Sequence, residues 1–223
     1  MIRNGGISRA RARTPEGRPS GRPVRWWLAL TWLWLGTTVV WSAAPALDDI
    51  FPAGFARGTT NVVRMAGKAD PWPPQVWVPG EGVEITVLTN KYELQFVVSP
   101  DASIGARLFR LFNDEGASEP GLFVVSDGHE LTEQEPNNHF QHPMALEELP
   151  VTINGRLEKS GDVDSFRVRV PAGRQLVAAV DSHVLMSKLD AVLRLVSTNG
   201  QQLAWNHDFS TIDPRLEWKA DCD

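Results

Sequence analysis

The chain has 223 residues, of which 42% are hydrophobic and 22% charged, ordinary values for a globular protein of one large or two small domains. Its formal charge of −5 is unevenly spread, because residues 1–25 carry +6 and the remainder carries −11. A nucleic-acid-binding surface would have to lie on that acidic remainder, so the composition argues against DNA or RNA as a partner. The single cysteine, Cys222, excludes an intrachain disulfide.

The N-terminal segment has the order of an export signal. An arginine-rich stretch ends at Arg25, an uncharged run extends from Trp26 to Ala46, and Ala44-Pro45-Ala46 supplies a small-x-small cleavage pattern. We therefore predict a signal peptide over residues 1–46 and a secreted, periplasmic or cell-surface location. The alternative is an uncleaved membrane anchor, the only case in which we expect membrane contact. A span needs about 20 apolar residues, and this run is slightly short and interrupted by threonine and glycine.

The stretch from residue 47 to 127 has the pattern of a sheet with one buried face. Apolar residues alternate with polar ones over 83–87, and Leu94, Phe96 and Val98 alternate with Gln95 and Val97, which is the period of two expected for strands. Turn-forming residues separate these runs, and no amphipathic helix pattern appears. The spacing predicts a small antiparallel β-sandwich.

Three motifs in this stretch occur in a recognisable order. They are Phe51-Pro52-x-Gly54, Arg57-Gly58-Thr59-Thr60 and Val62-Val63-x-Met65-x-Gly67. The succession resembles an immunoglobulin-like domain of the IPT/TIG type. The resemblance implies a spacer or binding module with no chemistry of its own.

Two further features of this stretch each allow two interpretations. Trp72 and Trp77 flank Pro73-Pro74, either as an exposed aromatic platform for a glycan or as packed aromatics beside a rigid turn. The segment 113–116, Asn-Asp-Glu-Gly, is either an ion-binding loop or a plain hairpin turn. We favour packing and the hairpin turn.

Residues 128–223 show a second set of strand patterns. Phe166, Val168 and Val170 alternate with polar residues, and mostly apolar runs cover 175–181 and 190–197. Asn199-Gly200 is a strong two-residue hairpin signal. Helical periodicity is absent, apart from a short turn expected within 183–188. The predicted fold class is therefore all-β, with two tandem β-sandwiches divided near residue 127.

Two acidic clusters lie about thirty residues apart in this second part, over residues 133–138 and 161–166. Ca²⁺ takes about six to eight oxygen ligands and accepts carboxylates and amides alike. If the clusters meet in space, they supply enough oxygens for one such ion. Alternatively, Asp162 and Asp164 cap the turn after Gly161, and Glu133 and Glu135 are solvated linker charges. The sequence leaves both interpretations open.

A longer succession of motifs surrounds these clusters. It comprises Glu133-x-Glu135-Pro136-Asn137-Asn138, residues 149–157, Gly161-Asp162-Val163-Asp164-Ser165-Phe166, residues 172–176, residues 189–195, Asn206-His207-Asp208 and Asp213-Pro214-Arg215-Leu216. This order resembles the bacterial pre-peptidase C-terminal domain over residues 128–223. The family is a β-sandwich of the jelly-roll kind, attached to secreted peptidases and to long exported proteins.

The resemblance implies a calcium position. Carried across residue by residue, the ligands are Glu133, Glu135, Asn137, Asn138, Asp162 and Asp164. Asn138 stands where the family usually has Asp, which removes one charge and should lower the affinity for Ca²⁺. The family also continues past residue 216 with a further strand, so we expect the second sandwich to be incomplete at its C-terminal end.

Patterns for catalysis are weak throughout the chain. His139 and His142 lack a convincing third metal ligand, Ser165 is not in a nucleophile-elbow pattern, and no phosphate-binding glycine loop is present. Paired carboxylates could hydrolyse glycosides, but a calcium site explains Asp162 and Asp164 with fewer assumptions. We therefore predict a non-enzymatic accessory or binding protein that contacts extracellular protein or polysaccharide. The alternative is the N-terminal piece of a longer secreted hydrolase or adhesin.

Overall fold

A computed structural model describes residues 42–209 and 211–221 of the chain. The predictions for the basic stretch, for residues 26–41 of the uncharged run and for Cys222 lie outside these residues, whereas the predicted cleavage pattern at 44–46 lies within them and Ala46 begins the first strand. The described part contains seventeen strands and one 3₁₀ turn but no α-helix, which confirms the predicted all-β class. It also contains no helix long and apolar enough to cross a bilayer.

The first nine strands form two sheets. They are β1 (Ala46–Phe51), β2 (Gly54–Ala56), β3 (Thr60–Lys68), β4 (Gln75–Trp77), β5 (Val83–Val87), β6 (Glu93–Val98), β7 (Gly105–Asn113), β8 (Gly116–Ala117) and β9 (Gly121–Ser126). One sheet has the order β1-β3-β6-β5, and the other has the order β2-β9-β7-β4 with β8 paired to β7. All pairs are antiparallel except β2 with β9.

The two sheets bury a single core between them. The predicted strands at 83–87 and 94–98 pair with each other as β5 and β6, and their apolar positions point inward. Phe96 of β6 lies 4.8 Å from Phe55 and 5.2 Å from Phe123, between ring centroids, and meets Phe109 edge to face at 5.5 Å. Period-two alternation thus places large aromatics from both sheets in one layer.

Of the features with two interpretations in this part, Trp72 and the segment 113–116 follow the simpler one, whereas Trp77 does not. The indole N–H of Trp72 donates to the Leu88 carbonyl at 2.9 Å, and its ring meets Tyr92 edge-on. Trp72 is therefore packed against the core, whereas Trp77 on β4 stays half exposed. The segment at 113–116 is the tight turn that joins β7 to β8.

The remaining strands belong to the second part. They are β10 (His129–Thr132), β11 (Met144–Ala145), β12 (Val151–Asn154), β13 (Phe166–Arg167), β14 (Gln175–Ala179), β15 (Leu193–Val196), β16 (Gln202–Asn206) and β17 (Arg215–Lys219). They form four two-stranded sheets among the described residues: β10-β12 and β11-β13 are parallel, and β14-β17 and β15-β16 are antiparallel. The 3₁₀ turn spans His183–Leu185, inside the stretch where a short turn was expected.

Burial in this second part is thin. Its buried apolar residues are small or few, and many large apolar side chains stay exposed on the described surface. The exposed ones include Val163, Val177, Val184, Met186, Val192, Val196, Leu203, Trp205, Phe209 and Ile212. Residues 166–170 keep the predicted alternation of half-buried and exposed side chains, although β13 covers only the first two of them. The division near residue 127 and the jelly-roll topology stay predictions.

Candidate metal centre

Two parallel strand pairs bring the acidic clusters together. Glu133 directly follows β10, and its backbone N–H donates to the Asn154 carbonyl at the end of β12, at 3.0 Å. Asp164 lies just before β13, and the N–H of its neighbour Ser165 donates to the Asn137 carbonyl at 2.9 Å. The chain therefore returns after thirty residues to place the second cluster beside the first.

Three carboxylates converge at this point. One oxygen each from Glu133, Glu135 and Asp164 lies within 4.8 Å of the others. One carboxylate oxygen of Glu133 accepts from the Arg156 N–H, while Glu133 Oε2 and Asp164 Oδ1 are buried with no hydrogen-bond partner. Buried carboxylate oxygens without donors are costly unless a proton or a cation compensates them.

Asn137 contributes a buried amide at the same place. Asn137 is 0% exposed, and its backbone N–H donates to Glu135 Oε2 at 2.8 Å. The end of its side chain lies 3.2 Å from both carboxylate oxygens of Glu135. With no ion present the amide nitrogen fits that position as a donor, and with an ion present the amide oxygen would turn toward the same position.

The carboxylates of the cluster lie close enough to repel one another when they are ionised. The pKa of Asp164 is raised from its ordinary value of 3.8 to about 7, foremost by burial and next by the neighbouring charge of Glu133. Glu135 and Asp162 act in the same direction. A proton on Asp164 would relieve the repulsion, and a divalent cation would do so more completely.

Asp162 and Asn138 bond to each other and lie outside the group of three converging carboxylates. Asp162 accepts from the Glu158 N–H at 2.9 Å and from the Asn138 side-chain amide at 2.8 Å. These donors, the Glu158 N–H foremost, lower the pKa of Asp162. Asp162 thus bonds to Glu158 in its own loop and to Asn138, while Asp164 faces the glutamates.

The sequence patterns did not predict a second group of titratable side chains, which is formed by Asp190, His207 and Asp208. His207 Nε2 lies 3.0 Å from Asp190 Oδ1, and His207 Nδ1 lies 3.2 Å from Asp208 Oδ2. Pairing of β15 with β16 brings Asp190 and His207 together at the open end of the hairpin, so the Asn199-Gly200 turn signal could have revealed them. Because both ring nitrogens face carboxylates, the arrangement suits an ion pair better than a chelate.

Comparison with known proteins adds no relative. A scan against protein-family models finds no match, and a search of curated proteins finds none either. The resemblances to the pre-peptidase C-terminal domain and to IPT/TIG domains therefore rest on the motifs quoted above.

Proposed function

We propose that this protein is an exported, non-catalytic accessory or binding protein whose second part is stabilised by Ca²⁺. The observation that carries the proposal is the convergence of Glu133, Glu135 and Asp164 on one point beside the buried amide of Asn137. Carboxylate and amide oxygens with no nitrogen or sulfur ligand are the donors that Ca²⁺ prefers. The predicted export signal supports the proposal, because calcium is plentiful outside cells.

The ion would compensate for the thin core of the second part. It would join the segment after β10 to the segment before β13, two segments that lie far apart in sequence. Because Ca²⁺ binds this arrangement and not the unfolded chain, it stabilises the fold by mass action, by about 2.7 kcal/mol at a hundred times the dissociation constant. We propose extracellular protein or polysaccharide as the partner class of the whole protein.

The test is the melting temperature of the purified protein in Ca²⁺ and in chelator, alone and with Asp164→Asn. We expect Ca²⁺ to raise the melting temperature of the wild type and to leave the variant nearly unchanged, because the variant loses one charged ligand. Asp181→Asn is a matched control, since Asp181 is an exposed carboxylate of the second part that belongs to neither acidic group. It should keep the calcium response. An unchanged wild-type melting temperature at millimolar Ca²⁺ would remove the ion from the proposal.

A further inference from the structure

We infer that the ion site also controls how firmly residues 129–156 hold the first sandwich, an inference that rests on the calcium site proposed above. Two residues, Asn154 and Arg156, touch both the first sandwich and the segment that carries Glu133. Binding of Ca²⁺ at Glu133 would therefore strengthen the contact between the two parts of the chain. By linkage, weakening that contact would lower the affinity for Ca²⁺.

The first connection runs through the side chain of Asn154. The Gly54 N–H of β2 donates to Asn154 Oδ1 at 2.6 Å, and Asn154 Nδ2 donates to Glu130 Oε2 at 2.8 Å. Ser126, at the end of β9, donates through its hydroxyl to the other oxygen of Glu130 at 2.6 Å. A Cβ at position 54 would lie 2.8 Å from Asn154 Oδ1 and 2.9 Å from Glu130 Oε2, so a larger residue there would have to displace these two side chains. The carbonyl of Asn154 in turn accepts from the N–H of Glu133.

The second connection runs through Arg156. Its guanidinium lies 3.2 Å from Asp49 Oδ2 and 4.6 Å from the centre of the Phe51 ring, both on β1. Its backbone N–H donates to Glu133 Oε1. One residue thus holds β1 with its side chain and a proposed calcium ligand with its backbone.

The direction of coupling follows from the charges. With neither an ion nor a proton among the three carboxylates, Glu133 is repelled by Asp164 and Glu135, whose oxygens lie within 4.8 Å of its own, and this repulsion opposes the position in which Glu133 accepts from Arg156. A cation removes this repulsion and holds the Glu133 carboxylate where the Arg156 N–H meets it. The ordered Arg156 backbone then presents its guanidinium to Asp49 and Phe51.

Arg156→Ala provides a test in which simple electrostatics and coupling predict opposite signs. The alanine keeps the backbone N–H that donates to Glu133. Removing a positive charge near a cation site should by itself tighten Ca²⁺ binding. If the contact with β1 is coupled to the site, the dissociation constant, measured by calorimetry, should instead rise by about two- to five-fold, in line with the strength of exposed ion pairs.

Lys91→Ala is the matched control. Lys91 pairs with Asp70 at 2.7 Å and stands 5.0 Å from the centre of the Tyr92 ring, so it makes the same two kinds of contact as Arg156. Exposed fractions are similar, 48% for Lys91 and 44% for Arg156. Lys91 makes none of the contacts described around Glu133. We expect its variant to bind Ca²⁺ as the wild type does.

Hydrogen exchange gives a second readout on the unaltered protein. Addition of Ca²⁺ should slow exchange at the Gly54 amide and across β1, while β5, in the same sandwich but at the far edge of its sheet, should not change. If the wild type binds Ca²⁺ but Arg156→Ala binds it equally or more tightly, and exchange at Gly54 is unaltered, the coupling is wrong and the calcium site stands. If the wild type binds no Ca²⁺, both fail.

Discussion

The two parts of the described chain are held together by different means. In the first part, fifteen buried apolar residues between Leu47 and Val125 form one continuous core. In the second part, Ala191, Pro214, Leu216 and Ala220 are the buried apolar residues among those described, and ten or more large apolar side chains are exposed. Buried apolar area is the main source of folding stability, at about 25 cal/mol per Å².

A bound ion has the most to contribute to the stability of the second part. The first part has enough apolar burial to hold its sheets together without help. The second part consists of two-stranded pairs, which are marginal alone in water. Its acidic cluster connects two of these pairs, so an ion there would supply stability that the thin core does not.

The largest expected effect tests the core of the first part. Phe96 is 0% exposed and touches three other phenylalanines. Phe96→Ala should lower the free energy of unfolding by about 3–5 kcal/mol, because it leaves a cavity that the sheets cannot close. Urea unfolding measures this loss. Val177→Ala, at an exposed site in the second part, should change the same free energy by less than about 0.5 kcal/mol. Equal losses of unfolding free energy at the two sites would contradict the difference in apolar burial between the two parts.

The next effect tests the acidic cluster through pH. The pKa of Asp164 is raised to about 7 in the folded protein from an ordinary value of 3.8, so the folded state binds more protons than the unfolded state between those values. Without Ca²⁺, the contribution of Asp164 to stability should therefore fall as pH rises from 4 to 8. The free energy of unfolding, measured in chelator across this pH range, tests this expected fall. The difference between the wild type and Asp164→Asn isolates the contribution, and a difference independent of pH would contradict it.

A smaller effect tests Asn138, which stands where the pre-peptidase C-terminal domains usually have aspartate. Asn138 donates through its amide to Asp162, so Asn138→Asp would place two carboxylates side by side. We expect the variant to melt lower than the wild type in chelator and to gain more from Ca²⁺, because the added charge needs a cation. Melting temperatures in both conditions measure this. A variant with the same calcium response as the wild type would place Asn138 outside the ion site.

The smallest effect concerns the group missed in the sequence. Asp190→Asn removes one carboxylate from His207, in a pair whose side chains are 63% and 42% exposed. Exposed ion pairs of this kind contribute about 0–1 kcal/mol. Thermal unfolding should show a change within that range, reduced further at high salt. A loss of several kcal/mol would mean that the group has a larger role than an ion pair.

Local patterns were sufficient for the class of fold and for several strands. Alternation over 83–87 and 94–98 predicts β5 and β6, because a period of two leaves one buried face only in an extended chain. The Asn199-Gly200 pair predicts the hairpin between β15 and β16 for a similarly local reason. The turn is longer than the predicted two residues, because the Gly200 N–H donates to the Ser197 carbonyl and only Gly200 of the pair has positive φ. The acidic composition of both clusters likewise indicated which residue types would face one another.

Only the tertiary structure decided which of those acidic residues meet. Glu133, Glu135 and Asp164 converge because β10 pairs with β12 and β11 with β13 in parallel, and such long-range pairing leaves no short-range sequence signal. The same long-range packing brought Asn154 against Gly54, a hundred residues away along the chain. Residue types follow from the sequence, whereas their distances depend on contacts between segments that the chain brings together only when it folds.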